Sequence, residues 1–195
     1  MSFKYRNFLS LLSQHCNISE QHASYIIEHS AIKNAKKGES LLMHGDDCNA
    51  IWYINRGIGR YEPKNSNDEI YTAQFFAENE FATDYEKFLT GAKAGVTLTP
   101  LEDMEVIELS RALINWFMAN VPGAPFFMLK QMEYYNIKCN QRIAINSEPE
   151  KIIAYQKLVA LYPDIEQRVS QKIIASYLDI SPVHLSRIKS EAIRR

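Results

Sequence analysis

Six of the seven glycines in this 195-residue chain fall between Gly38 and Gly95. The same stretch carries short runs rich in β-branched and aromatic residues: 51–54, 70–76, 96–99 and 105–109. Short strands punctuated by turn residues predict an antiparallel sandwich or jelly roll. Gly38, Gly45 and Gly57 each stand between such runs, where a turn asks for a residue that tolerates positive φ. The flanks read as helix. Phe8, Leu9, Leu11 and Leu12 share one amphipathic face. Ser19 with Glu20 caps a second helix that carries Ala23, Ile26 and Ile27.

The pattern changes after Leu109. Pro122 and Pro125 interrupt an apolar stretch, and the chain then runs from Phe126 to Ile145 without Gly or Pro, which predicts one long helix. On it Leu129, Met132, Asn136, Cys139 and Ile143 recur at 3-4-3-4 spacing, a coiled-coil seam with one polar member. The pattern favours dimerisation over a helix that only packs on the sandwich. Asn146-Ser147-Glu148-Pro149 reads as a linker, and residues 150–161 as a further amphipathic helix stopped before Pro163. The expected organisation is a sandwich with its N-terminal helices over 1–112, connecting and dimerisation helices over 113–146, and a C-terminal unit over 147–195. The fold class is α+β.

Composition supports a soluble globular protein: 46% of residues are hydrophobic and 23% charged. Cys16, Cys48 and Cys139 are odd in number and far apart, so neither a disulfide framework nor a zinc knuckle is indicated. No apolar run of about 18 residues suggests a membrane span, and no signal peptide is evident behind Lys4 and Arg6. A cytoplasmic protein with reduced thiols is expected. The net charge of −1 hides an asymmetry. Arg168, Lys172, Arg187, Lys189, Arg194 and Arg195 face only Glu166, Asp179 and Glu191 over 166–195, leaving a basic end on an acidic body. That suits a polyanion partner, although basic residues also suit the C-terminal end of any helix.

The window from Gln171 to Ser190 is the most specific signal. Two crossed helices need apolar residues at the crossing and a small one where their backbones meet. Ile174 and Leu178 supply the inner face of the first helix, Ala175 the small residue, Ile180 the plug of the turn, and Leu185 and Ile188 the inner face of the second. Ser170 can cap the first helix. Ser181 followed by Pro182 is a strong start for the second. Asp179 occupies the turn position where Gly is common, and Asp tolerates left-handed geometry better than most. Ser181, Pro182, Val183, His184 and Arg187 then face outward, as a recognition helix entering a major groove requires. Arg187 suits guanine O6 and N7, Val183 a thymine methyl, and Ser170 and Lys172 the phosphates. The reading is a helix-turn-helix that binds double-stranded DNA.

With these motifs in place, the chain resembles the cyclic-AMP receptor and fumarate–nitrate regulator family of bacterial transcription factors over nearly its whole length. The likeness rests on Lys37-Gly38-Glu39-Ser40-Leu41-Leu42, Gly45-Asp46, and Trp52-Tyr53-Ile54-Asn55-Arg56-Gly57. The segments 81–88 and 105–110, the long helix and 169–189 follow in the same order. The resemblance implies a cyclic-nucleotide-binding-like jelly roll that senses an effector, a dimer-forming central helix, a homodimer on a palindromic operator, and RNA polymerase as a further partner. The departures are informative. The family holds a cyclic phosphate with a Gly-Glu pair and an Arg-Ser or Arg-Thr pair, and the matching places here are Thr83-Asp84 and Ala94-Gly95. The neutralising guanidinium is missing, and the adjacent Lys93 is a poorer geometric substitute. The purine-reading places fall at Cys139 and Asn140. Cyclic AMP is therefore not expected, no other cofactor is indicated, and the effector stays unknown. His15, His22 and His29 are too far apart along their helices to share a metal. The usual β wing is expected to be truncated or absent, and the operator to differ because Pro182 and Val183 stand at the first base-reading places.

No nucleophile–base signature, phosphate-cradling loop or metal triad points to an enzyme. Asp84, Glu86 and Glu78 read as solvated loop acids. The competing possibility is a ligand-binding or protein-interaction module without DNA binding.

Overall fold

The computed structural model describes residues 3–194. The side chains of Arg194 and Arg195, counted in the basic end, lie outside what is described. Two helices, α1 (Arg6–Ser13) and α2 (Glu20–Glu28), precede the strands. The Ser19 hydroxyl accepts the His22 amide, and the His22 ring accepts the Ser19 amide, so a histidine completes the cap of α2. The strands are β1 (Ala31–Ala35), β2 (Ala50–Arg56), β3 (Gly59–Pro63), β4 (Gln74–Phe76), β5 (Phe81–Ala82), β6 (Val96–Pro100) and β7 (Met104–Ser110), with α3 (Tyr85–Thr90) between β5 and β6.

They form two antiparallel sheets, one in the order β1-β7-β2-β5 and one in the order β4-β3-β6. Tyr53 pairs with Ile107 across the first sheet and Tyr61 with Leu98 across the second. All four of these side chains are buried, as inner faces of packed sheets must be. The run expected over 70–76 is a strand only at its end. Ile70 is 60% exposed and bridges Lys64 alone, and ladder pairing begins at Gln74. Gly38, Gly45 and Gly57 all take positive φ, as the turn reading requires. Gly59 is needed for space, because a Cβ there would lie 2.3 Å from the Phe76 ring.

Two helices follow β7. In α4 (Arg111–Asn120), Leu113, Ile114 and Phe117 join the sandwich core. The prolines interrupt less than expected: Pro125 sits in the first turn of α5 (Ala124–Asn146), where its missing N–H costs nothing. Gly123 turns the corner at φ 91, and a Cβ there would press to 2.8 Å from the His15 carbonyl oxygen.

The C-terminal unit holds α6 (Lys151–Leu161), α7 (Ile165–Arg168), α8 (Gln171–Tyr177) and α9 (Pro182–Arg194). Among the described residues no strand follows β7. Its core is not closed on itself. Ile58, Phe75 and Leu101 of the sandwich belong to the same cluster as Leu158, Ile165, Tyr177 and Leu185. No helix is long and apolar enough to cross a membrane among the described residues.

Candidate nucleic-acid interface

The crossing of α8 and α9 follows the apolar pattern. Ile174, Ala175, Leu178, Leu185 and Ile188 are all buried, and Ala175 and Leu185 have no exposed surface. Ile180 is half-buried against the same core. Asp179 takes φ 54, the left-handed geometry that breaks α8 from α9. The Ser181 hydroxyl accepts the His184 amide at 3.2 Å, so Ser181 caps α9 and Pro182 begins it. Ser170 has the extended backbone of a cap at the start of α8, but its hydroxyl makes no capping bond. It therefore stays available to another partner.

Ser170, Lys172, Ser181, Pro182, Val183, His184 and Arg187 are all exposed. Val183 is 65% exposed on the outer side of α9. Neither Lys172 nor Arg187 forms an ion pair among the described residues. Lys189 does, with Glu166 at 2.5 Å, and so belongs to the packing of the unit.

The joint with the sandwich escaped sequence reasoning. Arg168 reaches Glu78 with both terminal nitrogens, at 2.7 and 3.1 Å, and Glu102 at 2.5 Å. It also bonds Asp164 at 3.0 Å. Glu78 is thus a clamp, not a solvated loop acid. Burial pushes its carboxyl up, but Arg168 and the Gly57 amide outweigh this and hold it below the usual carboxylate range. Beside the clamp, the Thr72 amide donates to the Ser176 hydroxyl of α8 at 2.9 Å, and Tyr177 stacks on Phe75 with centroids 5.0 Å apart. Under it, buried Lys138 of α5 bonds both oxygens of Glu80 and the Phe75 carbonyl.

The expected effector residues gather only in part. Thr83 is fully buried and donates to the Ala50 carbonyl at 2.9 Å. Asp84 is no solvated acid either. It caps α3 through the Lys87 amide at 3.3 Å and accepts the Gly95 amide at 2.8 Å. One carboxylate therefore ties the two segments expected to hold a phosphate. Ala94 is buried and bonded through its backbone to Gly45 and Asp46. Lys93 is paired with Asp47 at 2.7 Å. Tyr61, Tyr85 and Tyr135 fill the space between this region and α5, with Tyr85 and Tyr135 centroids 4.7 Å apart. Cys139 is half-buried, whereas Asn140 is exposed on α5 and donates to Asn136. No group of histidine, cysteine and acidic residues able to hold a metal occurs among the described residues.

No family model and no curated protein matches the sequence. Solved structures do match the fold. The chain is similar to the c-di-GMP-responsive global regulator CLP of Xanthomonas campestris, at 14% identity and a TM-score of 0.69, over 90% of this chain and 92% of that one. It is similar to a protein from Eubacterium rectale described as a Crp/Fnr-family transcriptional regulator, at 12% identity and a TM-score of 0.73, over 91% and 83%. A CRP-family transcriptional regulator of Thermus thermophilus gives 14%, 0.68, and 83% and 84%. The fold is that of Crp/Fnr regulators, and these neighbours are regulators, not enzymes.

Proposed function

We propose that this chain is a dimeric, cytoplasmic transcription regulator that grips duplex DNA through α8 and α9. In this reading the sandwich is a sensor jelly roll, α5 is the dimerisation helix, and α8–α9 is a helix-turn-helix, following the division 1–112, 113–146 and 147–195. One observation carries it. The two helices cross on a buried apolar face, while all seven candidate DNA-contacting residues stay exposed, Arg187 and Lys172 without an ion-pair partner among the described residues.

Selection of bound sequences from random duplexes tests the reading. A defined, palindromic operator is expected. Arg187→Ala should weaken operator binding by about 1–3 kcal/mol and relax one position. Lys172→Ala should weaken all duplexes alike and lower the salt slope by about one. If Arg187→Ala leaves affinity unchanged, the chain is a ligand-binding or protein-interaction module instead.

The effector is proposed not to be cyclic AMP. Asp84 already occupies the amides that an anion would need, and its own charge repels a phosphate. No thermal shift with cyclic AMP is expected at about a hundred times a micromolar Kd, where a true ligand gives several degrees.

A further inference from the structure

The segment just before β4 runs beside β3. The Tyr71 amide donates to the Pro63 carbonyl at 3.3 Å, and the Ala73 amide to the Tyr61 carbonyl at 2.9 Å. Backbone groups alternate in direction along an extended chain, so the N–H and C=O of Thr72 point the other way, off the edge of the second sheet. Thr72 has no exposed surface, and buried edge groups need partners. Two helices supply them. The Thr72 amide donates to the Ser176 hydroxyl of α8 at 2.9 Å. Its carbonyl accepts Nη2 of Arg142, near the end of α5, at 3.2 Å. Its Oγ1 accepts Nη1 of Arg60 in β3 at 2.9 Å. One buried residue therefore ties the sandwich, the long helix and α8 at a single point.

Arg142 holds both sides of that point. Its guanidinium lies 5.7 Å from the centre of the Tyr71 ring and 5.5 Å from the centre of the Tyr177 ring. Tyr71 precedes Thr72, and Tyr177 follows Ser176, so the same cation touches the sandwich and α8 beside the bond that joins them. Arg60 is paired with Glu62 inside the second sheet, whereas Arg142 has no ion-pair partner among the described residues. The apolar core shared by the two parts gives cohesion but little direction. Hydrogen bonds and a planar guanidinium have preferred lengths and angles, so they fix the attitude of α8 against α5.

We propose that Thr72 and Arg142 are positioning residues that set the half-site spacing of the operator without touching DNA. The inference rests on the reading of the chain as a dimeric DNA-binding regulator. In a two-fold dimer joined along α5, the distance between the two copies of α9 follows from the angle between α5 and α8–α9 within each chain. Duplex DNA offers equivalent half-sites only about one helical turn apart, roughly 34–36 Å, or multiples of that. A joint that holds the angle makes the dimer strict about spacing. A joint that gives lets each half find its own site.

The full chain tests it on duplexes that carry the selected half-site alone, or as inverted pairs whose spacing is changed one base pair at a time. The parent should prefer one spacing over its neighbours by about tenfold, the cost of deforming the duplex to fit a fixed dimer. Arg142→Met keeps an apolar side chain and removes the donors. It should bind the single half-site as the parent does and lose most of the spacing preference. Ile26→Val trims the sandwich core, and should lower the Tm while keeping the parent's preference. An Arg142→Met protein with the parent's preference overturns the proposal. So does one whose preference and single-site affinity fall together, and so does a parent indifferent to spacing. If Arg142→Met does not fold, Ser176→Ala, which removes only the hydroxyl at the Thr72 amide, decides by the same measure. A parent that binds no duplex, or binds it as a monomer, sinks the regulator reading and the spacing role with it. A strict parent whose spacing survives the variant sinks the spacing role alone.

Discussion

Lys138 keeps a charge where the side chain is 5% exposed. Its three donors are all used, on Glu80 Oε1 at 2.8 Å, Glu80 Oε2 at 2.7 Å and the Phe75 carbonyl at 3.0 Å. The Tyr162 ring lies 5.4 Å from its Nζ, and Tyr134 donates a further bond to Glu80. Burial lowers the Lys138 pKa, and the Glu80 carboxylate offsets only part of that. A pair held this way adds little net stability but is costly to break on one side. Glu80→Leu should therefore destabilise by about 3–5 kcal/mol in urea denaturation, and Lys138→Met added to it should restore most of the loss. A double variant as weak as the single one would place the cost in packing, not in the stranded charge.

At the scale of elements, α5 bears the open surface. Phe126, Leu129, Ile137 and Ile143 are each more than half exposed. With Glu133, Asn136 and Asn140 they make a stripe along the helix side opposite the buried Phe127, Lys138 and Ile145. Met132 and Cys139, expected on the seam, are half-buried, so the open stripe is rotated toward Ile137 and Asn140. Leu129→Asp or Ile137→Asp should shift sedimentation from dimer to monomer and leave the Tm of the sandwich little changed. A monomeric parent would refute the dimer. The sequence made some elements easy to read. β2, β6 and β7 were legible as short runs rich in β-branched and aromatic residues, and α8–α9 from small and apolar residues at fixed offsets. β3 and β5 were not, since Gly59-Arg60-Tyr61 and the two-residue Phe81–Ala82 carry too little period to count. The rotated stripe was hidden because heptad spacing fits two adjacent faces of one helix equally well over two repeats.

For the whole molecule, the decisive contacts span distances in sequence that no local pattern reports. Arg168 looked like one more basic residue near a DNA-binding end, yet its partners Glu78 and Glu102 lie 90 and 66 residues away. Asp84 looked solvated for the same reason. The Glu78 carboxyl titrates below its unfolded value, so the stability it gives is present above the ordinary carboxylate pKa, about 4.3, and lost as pH falls through the lower folded value. Acid should therefore speed hydrogen exchange at the Thr72 amide, which bonds Ser176 across the joint. Glu78→Gln should flatten that acid response, and an unchanged response would clear the clamp of any part in it. The shared core beneath the joint has a different outcome. Phe75 stacks on Tyr177, and Ile58 and Leu101 share one buried cluster with Ile165, so the sandwich completes the core of the C-terminal unit. Calorimetry should record a single cooperative melt, and a peptide of residues 147–195 severed from its neighbour should be a sticky, half-ordered chain that reads no operator.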